Sequence, residues 1–194
     1  TSFNPGSGKS FLTMNIAVSF AIKGKKVLVI DGDLRHGSAS SYIDSPTKGL
    51  SDYLGGRIDN LNEIIVTNPK QKYLDILPVG TIPPNPTELL FDDRLKQVID
   101  TVREQYEYVL IDCPPIELVA DTQIIEKLAD RTIFVVRAEL EKIYEEKKYK
   151  NMSLILNGTE GSGGRYGYRY GYRYGYHYGY GSEYHYGSDE KYIE

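Results

Sequence analysis

A candidate phosphate-binding loop opens the chain. Residues 4–10 read NPGSGKS, and an apolar helical pattern follows directly. Glycines let successive backbone N–H groups turn toward a phosphate, and the N-terminus of the following helix adds a favourable dipole. Lys9 can reach the β- and γ-phosphates of a nucleotide, and the Ser10 hydroxyl can ligate Mg²⁺. Phe3 stands where the strict pattern has glycine, but the residues that carry the phosphate contacts are present.

Two further loops place carboxylates at the ends of apolar strands. LVIDGDLR (28–35) contains Asp31 and Asp33, and YVLIDCPP (108–115) contains Asp112. Carboxylates at strand ends beside a phosphate loop can hold Mg²⁺ through water or accept a hydroxyl proton. Each pattern alone could be a solvated turn. Three such loops in one chain predict a site for a nucleotide and Mg²⁺.

Short apolar strands alternate with amphipathic helices along residues 1–158. Strand-like runs cover 26–31, 74–80, 108–112, 132–137 and 152–158, and helical patterns cover 9–22, 87–105 and 121–129. This alternation predicts an α/β fold of the P-loop NTPase type, with a mainly parallel β-sheet and helices on both faces. Right-handed crossovers then bring the carboxyl ends of the strands, and the three loops, to one edge.

The composition changes after residue 158. GTEGSGG is a flexible linker, and beyond it tyrosine alternates with Gly, Arg and His. Without aliphatic residues for a core, this tail is predicted to be disordered, or to be an adhesive aromatic segment when considered alone. The predicted division is a domain at 1–158 and a linker and tail at 159–194. The tail tyrosines are Tyr166, Tyr168, Tyr170, Tyr172, Tyr174, Tyr176, Tyr178, Tyr180, Tyr184, Tyr186 and Tyr192.

Charge and cysteine content exclude some classes of protein. A net charge of −4 gives no reason to expect nucleic acid as the main partner. Cys113 is the one cysteine, which excludes an internal disulfide and fits a reducing compartment. No apolar run approaches the roughly 18 residues of a membrane span, although the chain could be the soluble end of a larger membrane protein.

Together the motifs resemble those of the bacterial tyrosine kinases (BY-kinases), the cytoplasmic domains of capsule and exopolysaccharide co-polymerases. That family has a Walker A loop, a Walker A′ motif of apolar residues followed by Asp-x-Asp-x-Arg, and a Walker B motif ending in Asp-x-Pro. Here they read NPGSGKS, VLVIDGDLR and VLIDCPP, and PPNPTELL (83–90) resembles the family's connector. Compared with the family, the chain is expected to lack the upstream strand and oligomerisation helix, and the connection at 138–150 is shorter than the resemblance implies.

The resemblance implies an enzyme, a protein-tyrosine autokinase that uses ATP and Mg²⁺. Its substrate would be the tyrosine cluster of a neighbouring subunit in a homo-oligomer, and its role would be to regulate exopolysaccharide or capsule synthesis and export. Further implied partners are a transmembrane activator domain, fused upstream or separate, and a tyrosine phosphatase. The implied location is the cytoplasmic face of the bacterial inner membrane.

The resemblance also assigns roles to individual residues. The implied catalytic residues are Lys9, Asp31, Asp33 and Asp112, with Asp31 as the candidate base or metal-organising carboxylate. The implied nucleotide contacts are Pro5, Gly6, Ser7, Gly8, Lys9, Ser10, Phe11 and Asn157. The implied Mg²⁺ ligands, direct or through water, are Ser10, Asp31, Asp33 and Asp112. Asn157 would lie near adenine, and Arg35 would serve an interface between subunits.

Two other functions remain open at this point. A MinD/ParA-type ATPase switch would use the same loops without tyrosine transfer, but those proteins carry a signature lysine where this chain has Asn4. A non-catalytic module could bind ATP and recruit partners through its tyrosines. The kinase hypothesis best explains a tyrosine-rich tail tethered to a phosphoryl-transfer site, since tethering raises the local concentration of substrate.

Overall fold

The helices and strands follow the predicted alternation. The computed structural model describes residues 1–116, 120–137 and 151–157. Its helices are α1 (Lys9–Ile22), α2 (Leu50–Leu54), α3 (Pro86–Phe91), α4 (Asp93–Arg103) and α5 (Asp121–Glu126). Its strands are β1 (Val27–Asp31), β2 (Val66–Thr67), β3 (Leu74–Leu77), β4 (Tyr108–Asp112), β5 (Thr132–Arg137) and β6 (Met152–Asn157). The predicted phosphoacceptor tyrosines, the boundary at 158 and the connection at 138–150 lie outside the described residues.

Strand β1 is the centre of a four-stranded sheet of order β2-β3-β1-β4. It pairs in parallel with β3 on one side and β4 on the other, and only the two-residue β2 is antiparallel. All five residues of β1 are buried, as expected for a strand covered on both faces. In the β1–β4 register Asp31 lies opposite Asp112, so the two acidic loops leave the sheet side by side.

Strands β5 and β6 form a second, parallel pair beside the N-terminal residues. The amide of Val135 donates to the Thr1 carbonyl at 2.8 Å, and Ser2 forms a parallel bridge with Val135. The amide of Ile116, just after β4, donates to the Ser2 carbonyl at 2.9 Å. Residues 1–2 therefore link the loop after β4 to β5, and the phosphate loop begins between these strands.

Helices cover both faces of the four-stranded sheet. Alternate β1 side chains point to opposite faces. Val27 and Val29 pack with the buried α1 residues, which recur at three- and four-residue spacing as Met14, Ala17 and Ala21. Leu28 and Ile30 pack in the other core with the buried residues of α4, namely Leu95, Val98, Ile99 and Val102. The predicted mainly parallel α/β architecture is confirmed.

The helical pattern at 87–105 is two helices, where the sequence predicted one. The backbone at Asp92 is extended, with φ −70° and ψ 145°, and its carboxylate accepts a hydrogen bond from the Arg94 amide at 2.8 Å. Asp92 therefore ends α3 and caps the N-terminus of α4. The apolar periodicity continues across this break because both helices bury side chains in the same core.

None of the helices among the described residues combines the length and the apolar character that a membrane span requires.

Candidate nucleotide site

The phosphate loop has the backbone conformation that a nucleotide cradle uses. Gly6 and Gly8 lie in the left-handed region with φ of 72° and 86°, where L side chains are strained. Helix α1 starts immediately at Lys9, so the loop delivers its amides to a helix N-terminus. Pro5 and Gly6 are exposed, and Lys9 and Ser10 are half-buried. Ser7 is buried, and its hydroxyl has no hydrogen-bond partner within the described residues.

Asp112 is the carboxylate that best fits a cation. It is buried, and neither of its oxygens has a partner of normal hydrogen-bond geometry among the described residues. Burial raises the pKa of Asp112, although the nearby Ser10 hydroxyl and Lys9 ammonium act in the opposite direction. An unpaired buried carboxylate is unfavourable until a cation reaches it. Asp112 and the Ser10 hydroxyl therefore fit the ligand set expected for Mg²⁺.

The described residues hold no group of three or more His, Cys, Asp or Glu side chains that could bind a metal on its own. Mg²⁺ commonly takes one or two protein ligands and completes its octahedron with water and substrate phosphates. The pair of Asp112 and Ser10 suits that arrangement, in which the metal arrives with a nucleotide. When bound, Mg²⁺ would neutralise charge on the phosphates.

Asp31 is buried, but its oxygens are already engaged. Oδ2 accepts hydrogen bonds from the Ser40 amide and the Ser40 hydroxyl, both at 2.7 Å. Oδ1 accepts a weaker one from the Asp33 amide at 3.3 Å. Burial raises the pKa of Asp31 to about 6, with a further increase from the charge of Asp112, and the Ser40 hydrogen bonds limit the rise. The predicted role of Asp31 as base or metal organiser stays a prediction.

Ser40 was missed by the sequence analysis, because it lies nine residues beyond Asp31 in a segment without a motif. Its hydroxyl donates to Asp31 and accepts a hydrogen bond from the Val79 amide at 2.9 Å. Ser40 thus ties the Walker A′ loop to the residue two positions beyond β3. No spacing rule predicts such a contact.

Asp33 organises the turn that follows β1. It is 2% exposed, and its Oδ1 accepts hydrogen bonds from the amides of Arg35 and His36, both at 3.2 Å. The Nδ1 atom of the exposed His36 ring lies 3.4 Å from the same oxygen. Asp33 therefore holds the turn after β1, at the same edge of the sheet as Asp112. Its predicted role in catalysis or metal binding stays a prediction.

Asp31 makes stability depend on pH in a direction that can be tested. A carboxyl whose folded-state pKa is raised holds its proton longer in the folded protein, so stability falls as pH rises from about 4 to 6 and is level above that. We expect Asp31→Asn to gain stability relative to the parent between pH 4 and pH 7, by up to about 3 kcal/mol. Urea unfolding across that pH range in EDTA measures the difference.

The exposed Asp100→Asn variant is the control for this experiment, because Asp100 lies on α4 away from the loops. Its stability difference from the parent should change little with pH. A parallel pH dependence for Asp31→Asn and the parent would show that Asp31 is ionised normally in the folded protein.

Asn157, at the end of β6, contacts the phosphate loop. Its Nδ2 donates to the Ser7 carbonyl at 2.8 Å, and a side chain added at Gly8 would overlap the same amide. The structure thus gives Asn157 a role in holding the loop, and its predicted contact with adenine stays a prediction. Phe11 lies on the first turn of α1 and is 60% exposed, and its predicted nucleotide contact likewise stays a prediction.

Changing Asn157 separates the two roles. Asn157→Asp places a carboxylate oxygen against the Ser7 carbonyl, so we expect about 10-fold weaker binding of both Mg-ADP and Mg-pyrophosphate. A residue that contacts only adenine would affect Mg-ADP and leave pyrophosphate unchanged. Asn151→Asp is the matched control, since Asn151, the residue before β6, also donates its side-chain amide to a carbonyl, that of Asp130 at 3.1 Å. Calorimetry with both ligands gives the measurement.

The fold and the three loops define the class of α/β P-loop nucleotide-binding proteins, and a family model described as AAA domain matches residues 2–144. Tyrosine-protein kinase CpsD of Streptococcus pneumoniae serotype 4 is 34% identical over 178 residues, which cover 86% of this chain and 78% of that protein. The chain belongs to the bacterial tyrosine-protein kinase family. The putative tyrosine-protein kinase AmsA of Erwinia amylovora is 40% identical over 162 residues, 82% of this chain but only 22% of AmsA.

Solved structures agree with this assignment. The kinase domain of Escherichia coli tyrosine kinase ETK superposes with a TM-score of 0.74 and 32% identity, over 87% of this chain and 71% of that one. MinD of Pyrococcus horikoshii, complexed with Mg-ADP, superposes with a TM-score of 0.62 and 28% identity, over 72% of this chain and 56% of that one. Similarity is thus greater to the kinase domain than to the cell-division ATPase.

Proposed function

We propose that this chain is an ATP- and Mg²⁺-dependent protein-tyrosine autokinase whose substrate is the tyrosine cluster at 166–192. The observation that carries the proposal is the buried, unpartnered Asp112 carboxylate beside Lys9 and Ser10, in a family whose members are named tyrosine-protein kinases. The γ-phosphoryl group would pass in line to a phenolic oxygen as the bond to the β–γ bridging oxygen breaks, with ADP as the leaving group. Lys9 would stabilise charge on the phosphates, and one of Asp31 and Asp33 would accept the phenolic proton.

Transfer between subunits is the preferred route. Arg165, Arg169, Arg173 and Lys191 offset most of the acidic charge of the tail, and each phosphate adds about −1.5 to −2. An unmodified tail would therefore dock in a neighbouring subunit, and a phosphorylated tail would leave by repulsion. A transmembrane activator domain, a tyrosine phosphatase, a position at the inner membrane and a role in polysaccharide export are parts of the same proposal, supported by the family assignment.

Intact-mass analysis after incubation with Mg-ATP tests the activity. We expect phosphate additions to the parent chain and none to Lys9→Met, because loss of the ammonium removes the group that reaches the phosphates. Lys23→Met is the matched control, since Lys23 is the C-cap at the opposite end of α1. ADP release without a gain in mass would instead support the switch function that the MinD similarity suggests, and neither product would support a binding module.

A mixing experiment tests the route of transfer. Lys9→Met chains incubated with active chains should gain phosphate if the tail enters a neighbour's site. Phosphorylation restricted to the active chains, at a rate independent of dilution, would show transfer within one chain.

A further inference from the structure

Three side chains from distant segments form a closed cluster beside the Walker A′ loop. Arg35 donates from Nε to Asp121 Oδ2 at 3.0 Å and from Nη2 to Thr87 Oγ1 at 2.9 Å. Thr87 Oγ1 in turn donates to Asp121 Oδ1 at 2.6 Å. Each residue therefore contacts the other two. We call Arg35, Thr87 and Asp121 the clamp.

The clamp is built around a fully buried charge. Asp121 is 0% exposed, and its two carboxylate oxygens are shared between the guanidinium and the threonine hydroxyl. The Arg35 side chain is 35% exposed, so the ion pair lies at the edge of the interior. A buried carboxylate with hydrogen bonds to both oxygens has one favourable arrangement, because loss of either partner removes a hydrogen bond from a buried oxygen. The clamp therefore holds its three segments in fixed relation.

Those segments lead directly to the carboxylates of the nucleotide site. Arg35 follows Asp33 by two residues, and its amide donates to Asp33 Oδ1 at 3.2 Å. Asp121 is the first residue of α5, and the next residue, Thr122, donates its hydroxyl to the Pro114 carbonyl at 2.8 Å. Pro114 lies two residues after Asp112. The start of α5 thus binds the loop after β1 through Asp121 and the loop after β4 through Thr122.

The third segment is the connector PPNPTELL. Thr87 is the second residue of α3, and the prolines before it restrict the backbone that leads into the helix. The connector therefore presents the Thr87 hydroxyl to the ion pair. This contact gives Arg35 partners within the chain, and its predicted role at an interface between subunits stays a prediction.

We propose that the clamp sets the separation of the Asp33 and Asp112 loops, and that Arg35, Thr87 and Asp121 are positioning residues for phosphoryl transfer. The inference rests on the proposed function for its catalytic consequence. None of the three needs to touch the nucleotide. A shift in their geometry moves Asp33 relative to Asp112, and small displacements of catalytic groups carry large rate costs.

Conservative variants test the clamp without leaving Asp121 unpaired. Thr87→Val removes the hydroxyl but keeps the ion pair, and Arg35→Lys keeps the charge but loses the planar fork. We expect each to lower kcat for tail phosphorylation about 10-fold, with KM for Mg-ATP within about 2-fold of the parent. Thr87→Ser, which restores the hydroxyl, should recover most of the rate.

Two surface variants are the matched controls. Thr101→Val on α4 removes a hydroxyl that donates to the Gln97 carbonyl, one turn earlier in the same helix, and Arg103→Lys alters an exposed ion pair with Asp130. Both should retain the parent's kcat. Full activity of folded Thr87→Val and Arg35→Lys would overturn the proposal. So would a Thr87→Ser variant as slow as Thr87→Val.

A second readout separates failure of the clamp from failure of the kinase proposal. Mn²⁺ can replace Mg²⁺, and electron paramagnetic resonance measures its affinity for the ADP-bound protein without any phosphate transfer. We expect Thr87→Val and Arg35→Lys to weaken Mn²⁺ binding about 5-fold or more, and the controls to leave it unchanged. If the parent transfers no phosphate, the kinase proposal fails, but Mn²⁺ affinity still tests whether the clamp positions the two carboxylate loops. Equal Mn²⁺ binding in the parent and all variants would refute the clamp.

Discussion

Replacing Asp112 with asparagine should slow tail phosphorylation by about 10²-fold or more, yet make the nucleotide-free protein more stable. The gain in stability is expected because burial raises the pKa of Asp112, even though Ser10 and Lys9 favour its charged form. Asparagine has nearly the same shape without the charge, so the folded state no longer carries an unpaired buried carboxylate. We expect a gain of about 1 kcal/mol in the free energy of unfolding at pH 7.5.

Mg-nucleotide should reverse this order of stability. A ligand that binds only the folded state stabilises it by an amount that grows with the logarithm of the ligand concentration divided by its Kd, and the cation is the partner that Asp112 lacks. Thermal unfolding with and without Mg-ADP should therefore show a large shift for the parent and a small one for Asp112→Asn. Asp100→Asn, on the exposed face of α4, should behave as the parent does. A variant that is less stable without ligand, or equally stabilised by Mg-ADP, would contradict the metal role of Asp112.

Gly80→Ala should be among the most destabilising single substitutions in the described part of the chain, at about 3 kcal/mol or more. Gly80 follows β3 with φ of 79°, and an added Cβ would overlap both the Asp52 carboxylate and the Gly49 backbone. Asp52 cannot move away freely, because it accepts hydrogen bonds from the Gly49 amide at 3.0 Å and from Arg57 Nε at 2.9 Å. The substitution therefore combines backbone strain with a steric conflict.

Gly24→Ala isolates the contribution of the backbone. Gly24 lies beyond the end of α1 with φ of 77°, nearly the same as Gly80, but an added Cβ there meets nothing within 4 Å. Its cost should be about 1 kcal/mol, the usual penalty for a left-handed alanine. Guanidinium unfolding of both variants measures the difference. Equal losses would mean that the Asp52 loop yields to accommodate the side chain.

The nucleotide loops and the mainly parallel sheet that carries them could be predicted from local sequence. The apolar runs ending at Asp31 and Asp112 predicted two buried strands, and both form, with the two residues opposite each other in register. That proximity was expected because parallel strands bring their carboxyl ends to one edge. The division of 87–105 into two helices was missed, although the Asp92-Asp93 pair at the break is a helix-capping signal.

The contacts that organise the site could not be read from the sequence. Ser40 holds Asp31 from nine residues away, Arg35 meets Thr87 and Asp121 across 52 and 86 residues, and Asn157 meets Ser7 across 150. No periodicity relates residues at such separations, and serine, threonine and asparagine are common on loops for many reasons. Their partners depend on which segments the packed core brings together.

By itself, then, the sequence determined that a phosphate-binding loop and strand-end carboxylates are present and that they lie at the carboxyl edge of the sheet. It could do so because motif spacing, strand burial and glycine placement are local properties of the chain. Only the tertiary structure decided which carboxylate is left unpaired. Asp31 accepts two hydrogen bonds from Ser40, whereas neither oxygen of Asp112 has a partner of normal hydrogen-bond geometry among the described residues. The physical reason is that a buried oxygen takes its partner from whatever side chain the fold carries to it, and that choice is made by long-range packing.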